Sequence, residues 1–421
     1  VSKGRTAGIA GQRTNYFLGI VFTQEVHKVK KKHLILTNGT VVTDSLIEQG
    51  TVVTIGDRIM YVGDQREGQR ILKAADPNVF EIVDAQGGYI APGLVDVHMH
   101  GSDGVELMDG TVEAMATMGR YLARHGTVAF LPSTVTAMKD KTRAVATLVA
   151  DYSGAEDEAE VLGIHLEGPY INERYKGAQY GPAIRRADLD ELAELHSILG
   201  DKLRLVTLAP EVPGSLQAIA WLKERGITVS IGHSDATYEQ AMEGFATGIT
   251  HATHTYNGMR GLHHREPGVL GAILATPDIW AELIADLVHV HPGAIRVMLR
   301  SVGADRIVLI TDAVQATGLP DGEYVLGDQR IFVQDGAARL KEGNLAGSTL
   351  TLLQAVVNMV REIGVSLPDA FRMASFNPAQ SIGLADRGWI QEGNQADFVI
   401  LTPGFEVQKT IIAGRIAYSA D

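Results

Sequence analysis

Between residues 94 and 314 the apolar residues fall into eight short runs separated by stretches of helix length. The runs read LVDVHMHG, TVAFLPST, VLGIHLEG, LRLVTLAPE, ITVSIGHSD, GITHATHTY, AELIADLVH and RIVLITDAV. Two of the intervening segments, TVEAMATMGRYLARHG and LDELAELHSILG, place apolar residues at helical spacing and end in glycine, which predicts amphipathic helices with a C-terminal stop. Strand-length runs alternating with helices predict parallel βαβ units, and eight of them predict an α/β fold with a (β/α)8 TIM-type barrel over residues 92–385. The flanks differ. Residues 33–91 and 386–421 are short β-branched runs broken by NG, GD and GG turn signals. Neither flank has enough strands to cover its own apolar face, so the two are expected to pack together as one small β-sandwich built from both chain ends.

Residues 1–32 contain Lys3, Arg5 and Arg13, a short apolar run from Tyr16 to Phe22, and a basic patch at Lys28, Lys30, Lys31 and Lys32. The apolar run is too short for a signal peptide and lacks the small-residue cleavage site. The expectation is a poorly ordered tail with no assigned function.

Six of the eight runs carry His, Glu or Asp near their C-terminal ends: His98 and His100, Glu167, His233, His254, His289 and Asp312. A parallel barrel gathers those ends at one mouth, so residues far apart in sequence are expected to converge there. His98 and His100 lie at i and i+2 on one strand and therefore project to the same face, offering two imidazoles to one cation. Glu167, His233 and His254 would give the two-histidine, one-carboxylate set that suits a catalytic metal with an open position. His165, two residues before Glu167, faces the same way one layer deeper and is expected to pack rather than ligate. Asp312 is the expected general base, taking a proton from water and returning it to a leaving group. Arg265, His289 and the Asn257–Gly258 pair are anion candidates, since a glycine lets backbone N–H groups approach a ligand closely. The pattern implies a metal-dependent hydrolase.

Composition narrows the chemistry. The chain of 421 residues has no cysteine, so the metal must be held by histidines and carboxylates, which suits Zn2+ or Fe2+. A net charge of −13 argues against nucleic acid or an anionic membrane as a general partner, but a single phosphate needs only a local cation or backbone N–H groups. No apolar run is long enough to span a bilayer, and a cytoplasmic location is expected.

The motifs APGLVDVHMHG, GIHLEGPYIN, KGAQ, SIGHSDAT, THTYNGM, REPG, IADLVHV, LITDA and NLAGSTL occur in that order. As a series they resemble the amidohydrolase superfamily and, within it, the N-acetylglucosamine-6-phosphate deacetylase family, over roughly residues 33–415. The resemblance implies metal ligands at Glu167, His233 and His254, with His98 and His100 available to a second metal, and a catalytic aspartate at Asp312. It implies sugar-phosphate contacts at Asn257, Gly258, Arg265 and His289, and sugar contacts at Ala178, Gln179 and the Leu345–Ala346–Gly347 turn. In that family the equivalent of Arg265 reaches into the other subunit's site, which implies a homodimer acting on a small amino-sugar phosphate. Two positions depart from the pattern: Gln179 stands where some members have a histidine that polarises the acetyl carbonyl, and Gly258 stands where alanine is common. Members with that histidine can lack the HxH pair and use one metal. Two alternatives remain at this point, a cyclic-amide hydrolase of the same superfamily and a non-catalytic relative that binds sugar phosphates. The first usually has a modified lysine at the end of the fourth strand, where this chain has Ala209–Pro210–Glu211; the second would have lost a ligand or Asp312.

Overall fold

A computed structural model describes residues 33–420; the expected tail of residues 1–32 lies outside the described residues. All eight apolar runs form strands. Leu94–Met99 pairs in parallel with Thr127–Pro132, and Ile164–Glu167, Leu203–Leu208, Thr228–Ile231, His251–Ala252, Trp280–Ile284 and Ile307–Ile310 follow as one parallel ladder. A parallel bridge between Ser133 and His165 joins the two groups. At the far side the Asp312 amide donates to the His98 carbonyl at 2.9 Å, and the Thr311 hydroxyl donates to the Asp96 carboxylate at 2.6 Å. The sheet therefore curls until its first and last strands touch at their C-terminal ends. On these strands Val97, Phe130, Leu166, Leu205, Leu283 and Leu309 belong to one buried core.

The helices follow the predicted spacing. Val112–Arg124 is capped by Thr111, whose hydroxyl accepts the Ala114 amide, and Gly126 follows at φ 85°. Leu189–Leu199 is capped by Asp188 and ends at Gly200. In both, a polar N-cap side chain accepts one of the first free N–H groups and a glycine follows the last turn, as helix ends favour.

The chain ends do not form two stacked half-sheets, as the strand content predicts. They share a single eight-stranded sheet in which Tyr89–Pro92 and Phe398–Leu401 pair antiparallel. Backbone hydrogen bonding between the flanks satisfies edge groups that face-to-face packing would leave open. This sheet curls as well: Arg58 bridges Gln395, and the Ala396 amide donates to the Asp57 carbonyl at 2.7 Å. Leu34, Leu36, Val52, Ile90, Phe398 and Ile411 fill one face, while Ile35, Val53 and Phe80 face the other with Ile71 of the helix Gln65–Ala74. The NG pair at Asn38–Gly39 is not a hairpin turn. It is a bulge inside the strand His33–Val42, with Asn38 at φ 56° and Gly39 so close to its neighbour that a Cβ would lie 2.7 Å from that of Ala85.

An ion cluster, buried at Arg387 and Asp397 and half-exposed at Glu160, links this sheet to the parallel one. Arg387 donates through Nε and Nη2 to Asp397 at 2.9 and 2.7 Å and through Nη1 to Glu160 at 2.8 Å. Asp397 precedes Phe398–Leu401, and Glu160 starts the short strand Glu160–Val161 beside Thr127–Pro132. Replacing Arg387 with alanine leaves the Asp397 charge buried without its counter-ion, which costs roughly 3–5 kcal/mol. Urea unfolding followed by circular dichroism should show a correspondingly lower midpoint for Arg387→Ala than for the parent chain.

Candidate metal centre

The C-terminal ends of the parallel strands bring His98, His100, Glu167, His233, His254 and Asp312 together, all of them buried. Three arrive on strained backbone. His233, His254 and Asp312 sit just past their strands at φ 47°, 28° and 50°, the left-handed region that non-glycine residues occupy only where surrounding structure enforces it. The turn after His233 is enforced by Glu211, which accepts the Ser234 hydroxyl at 2.8 Å, the Asp235 amide at 2.7 Å and the Asn172 side chain at 3.1 Å.

Glu167 is the hub. Its Oε1 lies 3.1 Å from His233 Nε2 and 3.2 Å from His254 Nε2, and those two nitrogens lie 3.1 Å from each other. The other nitrogen of each ring is committed: His233 Nδ1 donates to the Tyr175 carbonyl at 2.8 Å and His254 Nδ1 to the Asn257 carbonyl at 3.0 Å. A carbonyl only accepts, so Nδ1 carries the proton and Nε2 of a neutral ring presents a lone pair. Two nitrogen lone pairs and a carboxylate oxygen then face one point, an arrangement that repels itself unless a cation occupies the centre. A tetrahedral cation with bonds of about 2.0–2.1 Å separates its ligands by roughly 3.3 Å, close to the separations found here. The residues fit a divalent metal.

His98 and His100 repeat the arrangement on the other side of Glu167. His98 Nδ1 donates to Glu282 at 2.9 Å and His100 Nδ1 to the Ser133 carbonyl at 3.2 Å. Their Nε2 atoms point inward: His98 Nε2 is 3.5 Å from Glu167 Oε1 and 3.6 Å from Asp312 Oδ1, and His100 Nε2 is 3.4 Å from Glu167 Oε2 and 3.1 Å from Asp312 Oδ1. His98, His100 and Glu167 thus form a second set of donor atoms close enough to share an ion, beside Glu167, His233 and His254.

The charges agree with this picture. Burial alone would push the His98 and His100 rings toward the neutral form, but the surrounding carboxylates hold His98 well above its usual value and His100 at about 9. Burial would raise Glu167 and Asp312, yet the neighbouring rings, His98 foremost, hold both below the ordinary carboxylate range. The pocket demands positive charge at its centre, from ring protons or from metal. His165 takes no part. It lies one layer deeper between Ser133 Oγ and Thr207 Oγ1, at 2.8 Å from each, and burial followed by repulsion from His98 keeps it neutral.

Above the cluster is a cavity of about 310 Å³ lined by His100, Glu167, His233, His254 and Asp312, and also by Ala178, Gln179, Asn257, Gly258, His289, Leu345 and Gly347. Ala346 is fully buried beneath its two neighbours. Gln179 spends its carbonyl oxygen on the Thr136 amide and one amide hydrogen on Glu167 Oε2, each at 2.6 Å. His289 is backed by Asp286 through Nδ1 at 2.6 Å, which leaves Nε2 to meet a ligand. Arg265 does not join the lining; it is exposed on the loop after His254, with its guanidinium against His264 at 2.8 Å.

Gly177, Leu326 and Asn344 also line the cavity without having been singled out: Gly177 and Asn344 fall within the KGAQ and NLAGSTL motifs, and Leu326 ends the strand Gly322–Leu326, outside the eight apolar runs. Sequence reasoning also missed Glu282, fully buried in Trp280–Ile284. That residue did leave a signal: an acidic side chain within the apolar run AELIADL needs a buried partner.

An amidohydrolase family model matches residues 89–417. Among curated proteins, the N-acetylglucosamine-6-phosphate deacetylase of Vibrio furnissii is 45% identical over 89% of this chain and 92% of its own length. The N-acetylgalactosamine-6-phosphate deacetylase of Escherichia coli O157:H7 is 40% identical over 82% and 92%. Among solved structures, a mutant N-acetyl-D-glucosamine-6-phosphate deacetylase from Mycobacterium smegmatis in complex with N-acetyl-D-glucosamine-6-phosphate superposes with a TM-score of 0.84 at 32% identity, covering 92% of this chain and 100% of the other.

Glu167→Gln replaces the shared anionic ligand with a weak neutral one. Metal analysis of the purified variant should show lower occupancy than the parent, and equal metal content would remove Glu167 from the ligand set.

Proposed function

The chain belongs to the amidohydrolase family, and from there we propose that it hydrolyses the acetamide of N-acetyl-D-glucosamine 6-phosphate to D-glucosamine 6-phosphate and acetate, in amino-sugar catabolism. One observation carries this reading: a single cavity holds both the convergent donors around Glu167, with Asp312 beside them, and the carboxylate-backed His289 suited to an anion.

In this reading Glu167, His233 and His254 hold a divalent metal, Zn2+ or Fe2+, and His98 and His100 with Glu167 hold a second. Such an ion polarises the acetyl carbonyl and makes water nucleophilic near neutral pH. Asp312 takes the proton from the attacking water and delivers it to the nitrogen as the C–N bond breaks, so that acetate and a free amine leave. Gln179 keeps its second amide hydrogen for the developing oxyanion, its first being fixed on Glu167. Asn257, the Gly258 backbone and His289 receive the phosphate end, while Ala178 and the Leu345–Ala346–Gly347 turn border the sugar. A cyclic-amide hydrolase is the weaker reading, because Ala209–Pro210–Glu211, at the strand end where such enzymes usually carry a modified lysine, holds no lysine, and Glu211 is bonded to the Ser234–Asp235 turn.

Arg265 stands clear of its own cavity, which supports a homodimer in which Arg265 of the partner subunit meets the phosphate. The curled parallel sheet supports a closed (β/α)8 barrel over residues 92–385, with residues 33–91 and 386–421 forming one β unit. Among the described residues no helix is long and apolar enough to cross a membrane. A cytoplasmic location belongs to the same reading, since a sugar phosphate is charged and does not cross a bilayer unaided. The relatives include both glucosamine- and galactosamine-named deacetylases, and acetate release across N-acetyl amino-sugar 6-phosphates tests which epimers this chain accepts.

Asp312→Asn keeps the shape and loses the proton carrier. Turnover should fall by about 10²–10⁴-fold with metal content unchanged, and near-normal turnover would remove Asp312 from the role. Arg265→Ala should raise KM for the 6-phosphate substrate about tenfold to a hundredfold, matching a charge-assisted contact of roughly 1.5–3 kcal/mol. Slow turnover of unphosphorylated N-acetylglucosamine should barely change. Mixing Arg265→Ala with Asp312→Asn protomers should restore one working site per heterodimer; with subunit exchange confirmed, no recovery would place the arginine in its own subunit's site.

A further inference from the structure

Glu282 is a carboxylate buried inside an apolar strand, and the reaction as derived above does not use it. It is fully excluded from solvent within Trp280–Ile284. Its Oε2 accepts two hydrogen bonds, from His98 Nδ1 at 2.9 Å and from the His254 backbone amide at 2.9 Å. His251 Nε2 lies 3.1 Å from its other oxygen. One oxygen thus ties together a side chain from the first strand of the parallel sheet and the left-handed backbone of His254. Opposite, the buried Nε2 of His98 has no hydrogen-bond partner and faces Glu167 and Asp312 at 3.5 and 3.6 Å.

The fold alone does not call for a charge here. A carboxylate taken out of water is expensive, and a neutral acceptor would serve the His254 amide equally. What the carboxylate supplies is a fixed proton on His98 Nδ1. An imidazole whose Nδ1–H is held by an anion presents a basic Nε2 lone pair in one orientation, the arrangement that supports histidines on metals. A ring released from Glu282 can turn over or change tautomer, and then presents C–H or N–H to the centre. We propose that Glu282 is a positioning residue that makes His98 a ligand for the second cation. The inference rests on the metal reading above and adds to it the determinant of the second ion.

The test uses the full chain, stripped with a chelator and titrated with Zn2+ against a chromophoric competitor, alongside metal analysis by mass spectrometry. The parent should take two zinc ions per chain. Glu282→Gln keeps an acceptor for the His254 amide but loses the anion, so the tighter ion should remain while affinity for the second falls about 10–100-fold. Glu282→Asp, which keeps the charge but draws it back from His98, should weaken the second ion in the same direction and serves if the glutamine variant folds poorly. His98→Gln should lose the second ion outright, and adding Glu282→Gln to it should cost nothing further at either site. That non-additivity is the signature of an effect passing through His98. Unchanged second-site affinity in the folded Glu282 variants would overturn the proposal. So would a double variant that weakens the tighter ion well beyond His98→Gln alone, because Glu282 would then act through His254. A parent that binds one zinc, lost with Glu167→Gln and indifferent to His98→Gln, would overturn the proposal and leave the metal reading intact. A parent that binds none would overturn both.

Discussion

Everything at the mouth of the parallel sheet depends on one buried carboxylate surrounded by imidazole nitrogens. Glu167 receives His233, His254, His98 and His100 at 3.1 to 3.5 Å, and each of those rings has its other nitrogen committed elsewhere. With the Nδ1 protons fixed outward, the inner nitrogens cannot all be neutral and mutually comfortable. The cluster needs positive charge, and a divalent cation supplies it without the proton exchange that would make the site's charge follow pH. The left-handed backbone at His233, His254 and Asp312 is the local cost of aiming three side chains at one point from strand ends that run parallel.

Much of this was legible in the sequence because the relevant signals are local. His98 and His100 share a face by strand alternation, and Glu167, His233, His254 and Asp312 each close an apolar run. The parallel topology then carries them to one mouth, and the structure places all six within one cluster. What escaped depends on contacts between distant segments. Glu282 lies in a run already read as a strand, but its partner His98 is 184 positions away. Gln179 lines the cavity, but its commitment to Thr136 and Glu167 depends on how one loop folds back over another. The flanking strands were recognised as β, yet composition does not distinguish face-to-face packing from the edge pairing of Tyr89–Pro92 with Phe398–Leu401, because both bury the same apolar residues. For the same reason Asn38–Gly39, a turn signal on sequence grounds, proved to be a bulge within a continuous strand.

The cavity divides the work between rigid and adjustable parts. The strand ends hold the convergent histidines and carboxylates, and Glu211 and Glu282 pin the turns or rings beside them, so this end of the cavity is set by the sheet. The far side comes from loops and turns, Ala178–Gln179, Asn257–Gly258 and Leu345–Gly347, where specificity among amino-sugar phosphates can change without disturbing the centre. Arg265 is exposed and lies outside its own chain's cavity.

The central claim is that the Glu167 cluster holds a divalent cation and uses it to split an acetamide. The most direct measurement is acetate release from N-acetyl-D-glucosamine 6-phosphate by the purified chain, before chelation, after it, and after stoichiometric return of Zn2+ or Fe2+. The account predicts acetate and free amine in equal amounts, loss of both on chelation, and recovery as one to two equivalents of metal return. Turnover that survives complete removal of the metal, or no acetate from the fully loaded chain, would contradict it.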